Sequence, residues 1–140
     1  MQTEDIFNEN EITLIFKCVL SLSGAALANS PKVYFIEPAD GAIVQETFKV
    51  KFGLENFGVA PAGYDIPNTG HHHLLIDTSL ADLKSPIPAD SRHIHFGKGQ
   101  TETSITLEKG EHQLTLIMGN FARIPHDEPI ISETITVIVK

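Results

Sequence analysis

Hydrophobic residues recur at every second position through much of the chain after residue 30, and a period of two predicts β-strands. The clearest case is residues 47–56. Four apolar side chains there share one face of the predicted strand: Phe48, Val50, Phe52 and Leu54. Short β-branched and aromatic runs, bounded by Gly, Pro, Asn and Asp, predict further strands. These lie at 32–36, 71–77, 93–97, 103–107, 111–119 and 130–139.

About seven short strands within roughly 110 residues are typical of an all-β, immunoglobulin-like antiparallel β-sandwich. We therefore predict that fold for residues 29–140, as a single domain. Residues 79–90 (SLADLKSPIPAD) predict a short helix that Pro86 and Pro88 end. The tripeptide EKG at 108–110 predicts a hairpin turn between its flanking strands.

The apolar segment 12–28 predicts that residues 1–28 form a leader resembling a signal peptide. It ends in Ala26-Leu27-Ala28, the small-x-small pattern that signal peptidase cleaves. A helix packed on the domain is the alternative. The apolar run is too short for a membrane span and is interrupted by Lys17. We expect a periplasmic or secreted protein whose mature chain has no stable membrane span.

Composition and charge narrow the classes of function. The 140 residues are 41% hydrophobic and 20% charged, which fits a globular domain. Ten Lys and Arg residues against 18 Asp and Glu give a net charge of −8. Such a chain lacks the basic surface that nucleic acid requires, so no nucleic-acid partner is expected. The one cysteine, Cys18, lies in the leader, so the domain has no thiolate ligand or nucleophile.

Histidines carry the candidate chemistry. The chain has seven, and two pairs lie on predicted strands. Because side chains alternate along a strand, His71 and His73 share one face, and so do His93 and His95. His72 is expected on the opposite, core-facing side of its strand.

Two such pairs on neighbouring strands would offer four imidazoles to one metal ion. Imidazole without thiolate favours Cu(II) or Zn(II), so copper or zinc is the expected cofactor. A thioether-rich Cu(I) site is excluded because Met118 is the only methionine of the domain. Two loop residues, His126 and Asp127, are expected to close over the site. The full predicted ligand set is His71, His73, His93, His95, His126 and Asp127.

Two alternatives to a metal-binding module remain open. The histidines could be scaffold residues paired with carboxylates such as Asp77 or Asp90, in a module that interacts with another envelope protein. His112 is assigned to such a structural role. A metal-dependent enzyme would also need an acid or base. Glu102 and Asp77 are available, but their spacing singles out neither, so no catalytic residue is predicted.

A cupin-type site is a further, weaker alternative. Its ligands would be His93, His95, Glu102 and His112. The glutamate comes too late after the histidine pair for that motif.

Five strings of the sequence resemble one family of bacterial exported domains. They are PADGAIV, GLENFGVAPAG, GHHHLLID, IPADSRHIHFGKGQTETSITLEKGEHQLTL and IPHDEPIISETITV. They are similar to domain of unknown function 4399 over about residues 31–140. The resemblance implies an exported single sandwich domain with no established activity. It places His71, His72, His73, His93, His95 and His126 on the family's histidine-bearing motifs, and implies a further histidine where this chain has Arg123.

Overall fold

A computed structural model describes residues 29–140, and the leader predicted at 1–28 lies outside the described residues. The described chain forms nine β-strands and no helix, which confirms the all-β prediction. Its strands are β1 (Lys32–Glu37), β2 (Ala42–Val44), β3 (Thr47–Glu55), β4 (Gly58–Val59), β5 (Thr69–Ile76), β6 (His93–His95), β7 (Glu102–Thr106), β8 (Gly110–Gly119) and β9 (Ile135–Val139). Over the same residues, nothing forms a helix of the length and apolarity that a membrane crossing needs.

The strands form two sheets. The smaller has the order β1-β3-β7, and the larger has the order β2-β9-β8-β5-β4, with β6 also paired to β5. All pairs are antiparallel except β2–β9 and β4–β5, which are parallel. The arrangement corresponds to strands A-B-E facing strands C-F-G of an immunoglobulin-type sandwich, as predicted.

The main core lies between the two sheets. Val50 and Phe52 of β3 project from the smaller sheet, and both are almost completely buried. Leu74, Leu116 and Val137 meet them from the larger sheet and are fully buried. Each such side chain contributes about 1.5–3 kcal/mol when it leaves water. The alternation at 47–56 therefore predicted both the strand and its buried face.

A second apolar layer covers the outer face of the larger sheet. Leu75 of β5 and Ile117 of β8 point outward and pack against Ile87, which is 2% exposed. Ile87 comes from the long connection between β5 and β6. Its backbone N–H donates to the carbonyl of Arg123, at 2.7 Å, which ties this connection to the one between β8 and β9. The sheet face that carries the outward side chains of β5 is consequently shielded from solvent.

The helix predicted at 79–90 is wrong, because these residues follow bends and extended backbone. Asp82 organises the segment by accepting hydrogen bonds from the Lys84 backbone N–H and the Ser85 hydroxyl. The segment is held instead by the apolar contacts of Ile87 on the sheet, a tertiary interaction that overrides local helix preference.

The hairpin predicted at 108–110 is also wrong. β7 pairs with β3, whereas β8 pairs with β5 and β9, so this turn carries the chain from one sheet to the other. A turn sequence specifies a chain reversal but leaves the partner of each strand open. The short strands β2 and β4 were not predicted, and β9 begins at Ile135 because residues 130–134 make only isolated contacts with β8.

Candidate metal centre

Three histidines converge on the outer face of the larger sheet. His71 and His73 lie two residues apart on β5, as the strand period predicted. The β5–β6 register places His95 directly opposite His73. One ring nitrogen from each of the three lies within 4.8 Å of the others. We refer to His71, His73 and His95 as the triad.

The rings of the triad pack directly on one another. The His73 and His95 rings are stacked, with centroids 4.8 Å apart. The centroid of the His71 ring lies 4.9 Å from that of His73 and 4.8 Å from that of His95. Two glycines make room for this packing. A Cβ at Gly119 would lie 2.8 Å from His73 Nε2, and a Cβ at Gly97 would collide with the His95 ring. Neither glycine was predicted as part of the site, although Gly97 follows β6 closely and Gly119 ends the strand that pairs with β5.

The triad is largely buried, and three of its six ring nitrogens have no hydrogen-bond partner in the described residues. His71 and His73 are completely buried, and His95 is partly exposed. His71 Nε2 and His95 Nε2 are 3.0 Å apart, so they share one hydrogen bond. Within residues 29–140, neither ring nitrogen of His73 nor Nδ1 of His71 has a hydrogen-bond partner. Leaving a buried polar group unpaired costs about 1–3 kcal/mol, so scaffolding alone is an unfavourable use of these residues.

Burial keeps the triad uncharged. Burial, with the nearby His95 and Arg123, lowers the pKa of His71 to about 4. Burial, followed by the neighbouring His71, His95 and Arg123, lowers the pKa of His73 to about 3. Burial and Arg123 also lower the pKa of His95. All three are neutral at pH 7, and a neutral imidazole has the free lone pair that a metal ion requires.

The triad has the donor set and spacing of a three-coordinate protein site. With metal–nitrogen bonds of about 2.0–2.1 Å, tetrahedral geometry places neighbouring nitrogens about 3.4 Å apart. The triad nitrogens lie 3.0–4.8 Å apart, a range that includes this distance. Three protein ligands leave a fourth position open. Among residues 29–140, no residue accepts a hydrogen bond from His71 Nδ1 or His73 Nδ1, so packing orients these rings.

His93 lies on the same strand as His95 but outside the triad. Its Nδ1 lies 2.8 Å from an Asp90 carboxylate oxygen, which also accepts the backbone N–H of His93. The turn before β6 therefore holds the His93 ring at the strand's beginning. The structure does not bring His93 into the group that His95 joins.

The two predicted loop ligands also lie outside the group of three. His126 packs edge-on against Phe57, with ring centroids 5.0 Å apart, and burial lowers its pKa. Its Nε2 is buried without a hydrogen-bond partner in the described chain and lies close to Gly70. The Asp127 side chain is fully exposed, 3.8 Å from the Lys84 ammonium.

The remaining two histidines also lie outside the triad. His72 points into the core, as predicted, with its ring 5.0 Å from that of Phe52. His112 Nδ1 lies 2.7 Å from Asp77, and its Nε2 donates to the Glu108 carbonyl at 2.9 Å. The prediction of a structural His112 is confirmed.

The cupin-type set does not assemble. Its carboxylate member, Glu102, lies on β7 in the smaller sheet, 3.8 Å from Lys49. Asp77, the other acid considered for catalysis, is occupied by His112 and by the backbone N–H of Gln113. Neither acid is a member of the group formed by the triad.

Comparisons with known proteins give a family and two similar structures. The family model described as "Domain of unknown function (DUF4399)" matches residues 50–140. No curated protein matches the chain. A solved endo-β-1,4-mannanase from Thermotoga petrophila is similar at 17% identity and a TM-score of 0.49, over 84% of this chain and 21% of the mannanase. Fibronectin(III)-like modules of CbhA from Clostridium thermocellum are similar at 15% identity and a TM-score of 0.42, over 79% of this chain and 45% of that one. The chain thus spans less than half of either solved protein.

Proposed function

The chain belongs to the DUF4399 family, and we propose that it is a periplasmic or secreted module that binds one Cu(II) or Zn(II) ion through His71, His73 and His95. The observation that carries this proposal is the convergence of three neutral imidazoles, three of whose six ring nitrogens are buried without a hydrogen-bond partner in the described residues. The proposed location rests on the small-x-small pattern at residues 26–28 of the leader.

The donor set determines the class of ion. Three imidazoles without thiolate or carboxylate suit borderline ions such as Zn(II) and Cu(II). Mg²⁺ and Ca²⁺ prefer oxygen ligands, so the triad disfavours them. Met118 pairs with His72 across β8 and β5 and belongs to the core, on the opposite side of the sheet from the triad. A thioether contribution is therefore not part of the proposal.

The proposed role is reversible binding, which would serve to buffer or deliver the ion. Loss of the carboxylate or carbonyl partner behind a ligating histidine typically weakens metal binding 10–100-fold. His71 and His73 have no such partner among the described residues, so moderate affinity is expected. An open fourth position would also let an incoming ligand from another molecule take the ion.

A scaffold role in an envelope interaction module is the second candidate. The hydrogen bond between His71 and His95 favours it, because scaffold histidines pair with one another or with polar neighbours. His73 counts against it: this ring is fully buried and neither nitrogen has a partner in the described residues. A metal ion would pair one nitrogen of His73, which a scaffold role leaves unpaired.

The experiment titrates the full chain, purified without a histidine tag, with Cu(II) and Zn(II) by calorimetry and measures bound metal by elemental analysis. One ion per chain is expected. His95→Ala should abolish saturable binding because it removes a partly exposed triad member whose loss leaves the core intact. His93→Ala is the matched control, since it removes the same ring from the same strand without touching the triad.

Thermal unfolding of both variants by circular dichroism checks that each remains folded. Binding that survives His95→Ala, or that is absent in the unmodified chain, would overturn the proposal. Equal loss in both variants would instead extend the site to His93.

A further inference from the structure

Arg123 has a fixed position beside the triad. It lies in the loop after β8, where the Asn120 side-chain oxygen accepts the backbone N–H groups of Ala122 and Ile124, at 2.9 Å and 3.0 Å. Its backbone has φ of 64°, and its carbonyl accepts the Ile87 N–H at 2.7 Å. The loop therefore fixes the backbone of Arg123 beside the triad, while its side chain is exposed to solvent.

The backbone of Arg123 lies close to His73 of the triad. The point where a Cβ of Gly119 would stand lies 3.4 Å from Arg123 Cα and 2.8 Å from His73 Nε2. The guanidinium charge contributes to lowering the pKa of each triad histidine. Within residues 29–140, no carboxylate forms an ion pair with Arg123. Asp127, four residues further along, is instead close to Lys84.

A divalent ion at the triad would therefore meet three neutral ligands and a nearby positive charge. Repulsion between the ion and the guanidinium disfavours such a complex in a partly buried site. An anion in the open fourth position would reverse this, because it coordinates the metal and accepts charge-assisted hydrogen bonds from Arg123. An anion in that position would therefore offset the repulsion between the ion and the guanidinium.

We propose that the triad takes its metal ion together with a small coordinating anion, such as a carboxylate, and that Arg123 holds this anion against the metal. This inference rests on the proposed function, since it needs a metal at His71, His73 and His95. In this role Arg123 binds the anion, and its charge favours the metal–anion complex over the metal ion alone.

The test uses Cu(II) as the metal, with azide and acetate as anion probes, on the full chain. Azide binding to the Cu(II) protein is followed by its charge-transfer absorption, and acetate by competition with azide. Arg123→Gln should weaken azide binding about tenfold, because a charge-assisted contact is lost. The same substitution should tighten Cu(II) binding several-fold in a non-coordinating buffer, since the repulsion is removed.

Arg123→Lys keeps the charge, so its Cu(II) affinity should stay within about threefold of the unmodified chain. Its azide affinity should lie between those of the unmodified chain and Arg123→Gln, because a lysine ammonium donates to the anion as a point charge. Arg92→Gln removes the same charge from a residue whose contact is the Ile76 carbonyl, and should change neither.

Weaker azide binding together with tighter Cu(II) binding in Arg123→Gln, with neither change in Arg92→Gln, would support the inference. Cu(II) binding with unchanged azide affinity in Arg123→Gln would overturn it while leaving the proposed metal site intact. No Cu(II) binding in any chain would overturn the proposed function, and the inference with it.

Discussion

Gly119→Ala should disable the triad without removing any ligand. The added Cβ would lie 2.8 Å from Nε2 and 3.1 Å from Cδ2 of His73, and 3.4 Å from Arg123 Cα. The His73 ring has nowhere to move, because it is fully buried and stacked on His95. Overpacking of this kind costs about 1–3 kcal/mol of unfolding free energy. Alanine in a strand regains part of it, about 0.5–1 kcal/mol relative to glycine.

The larger effect is expected on metal binding. A displaced His73 ring loses its orientation toward the ion, which we expect to weaken binding about 10–100-fold, as the loss of an orienting partner does. A ligand at 100 times its Kd stabilises a protein by about 2.7 kcal/mol. For a domain of this size that corresponds to a rise in Tm of roughly 10 °C. At the same concentration of Zn(II), the rise for Gly119→Ala should shrink to about 2–6 °C.

The assay is thermal unfolding of the full chain with and without Zn(II), alongside calorimetric titration. Gly53→Ala is the matched control, because its Cβ would collide with the Tyr34 ring in the smaller sheet. That variant should lose stability yet keep the full metal-dependent rise. If Zn(II) raises the Tm of Gly119→Ala by as much as it raises that of the unmodified chain, the packing argument for His73 is refuted.

Two further predictions concern histidines outside the triad. His72→Leu should raise the unfolding free energy by about 1–2 kcal/mol in urea denaturation, because a buried ring with two unpaired nitrogens against Phe52 becomes apolar. Asp77→Asn should destabilise the chain more at about pH 5.5 than at about pH 9. The hydrogen bond to Asp77 raises the pKa of His112 above 6.5, so its contribution is complete below that pH and is lost as pH rises through the folded pKa.

Burial opposes the shift at Asp77, but hydrogen bonds from Gln113 and His112 lower its pKa below 3.8. The contribution of this carboxylate is therefore present above that pH and is lost only under more acidic conditions. A pH-independent effect of Asp77→Asn would contradict the ion-pair assignment. For His72→Leu, metal binding should be unchanged, and its loss would show that the core-facing ring supports the triad.

Strand periodicity predicted the parts of the site that depend on one strand. Alternation along β5 put His71 and His73 on one face and His72 on the other, as found. The same rule put His93 and His95 together, and there it was insufficient. A period of two fixes which face a side chain leaves from, but the Asp90 carboxylate fixes where the His93 ring lies. That contact depends on the turn geometry, which periodicity does not encode.

Burial of the triad depends on a tertiary contact that the sequence pattern does not reveal. In a β-sandwich without covering loops, the outer face of β5 would be exposed to solvent, and its histidines would titrate near their ordinary pKa. Here two long connections cover that face, joined by the hydrogen bond from Ile87 to Arg123. The covering residues lie on loops, and the hydrophobic periodicity of a sequence does not predict the path that a loop takes. Because His95 alone of the three is partly exposed, we expect an ion that binds the triad to enter past this ring, so a substitution at His95 should change both the rate of binding and the affinity.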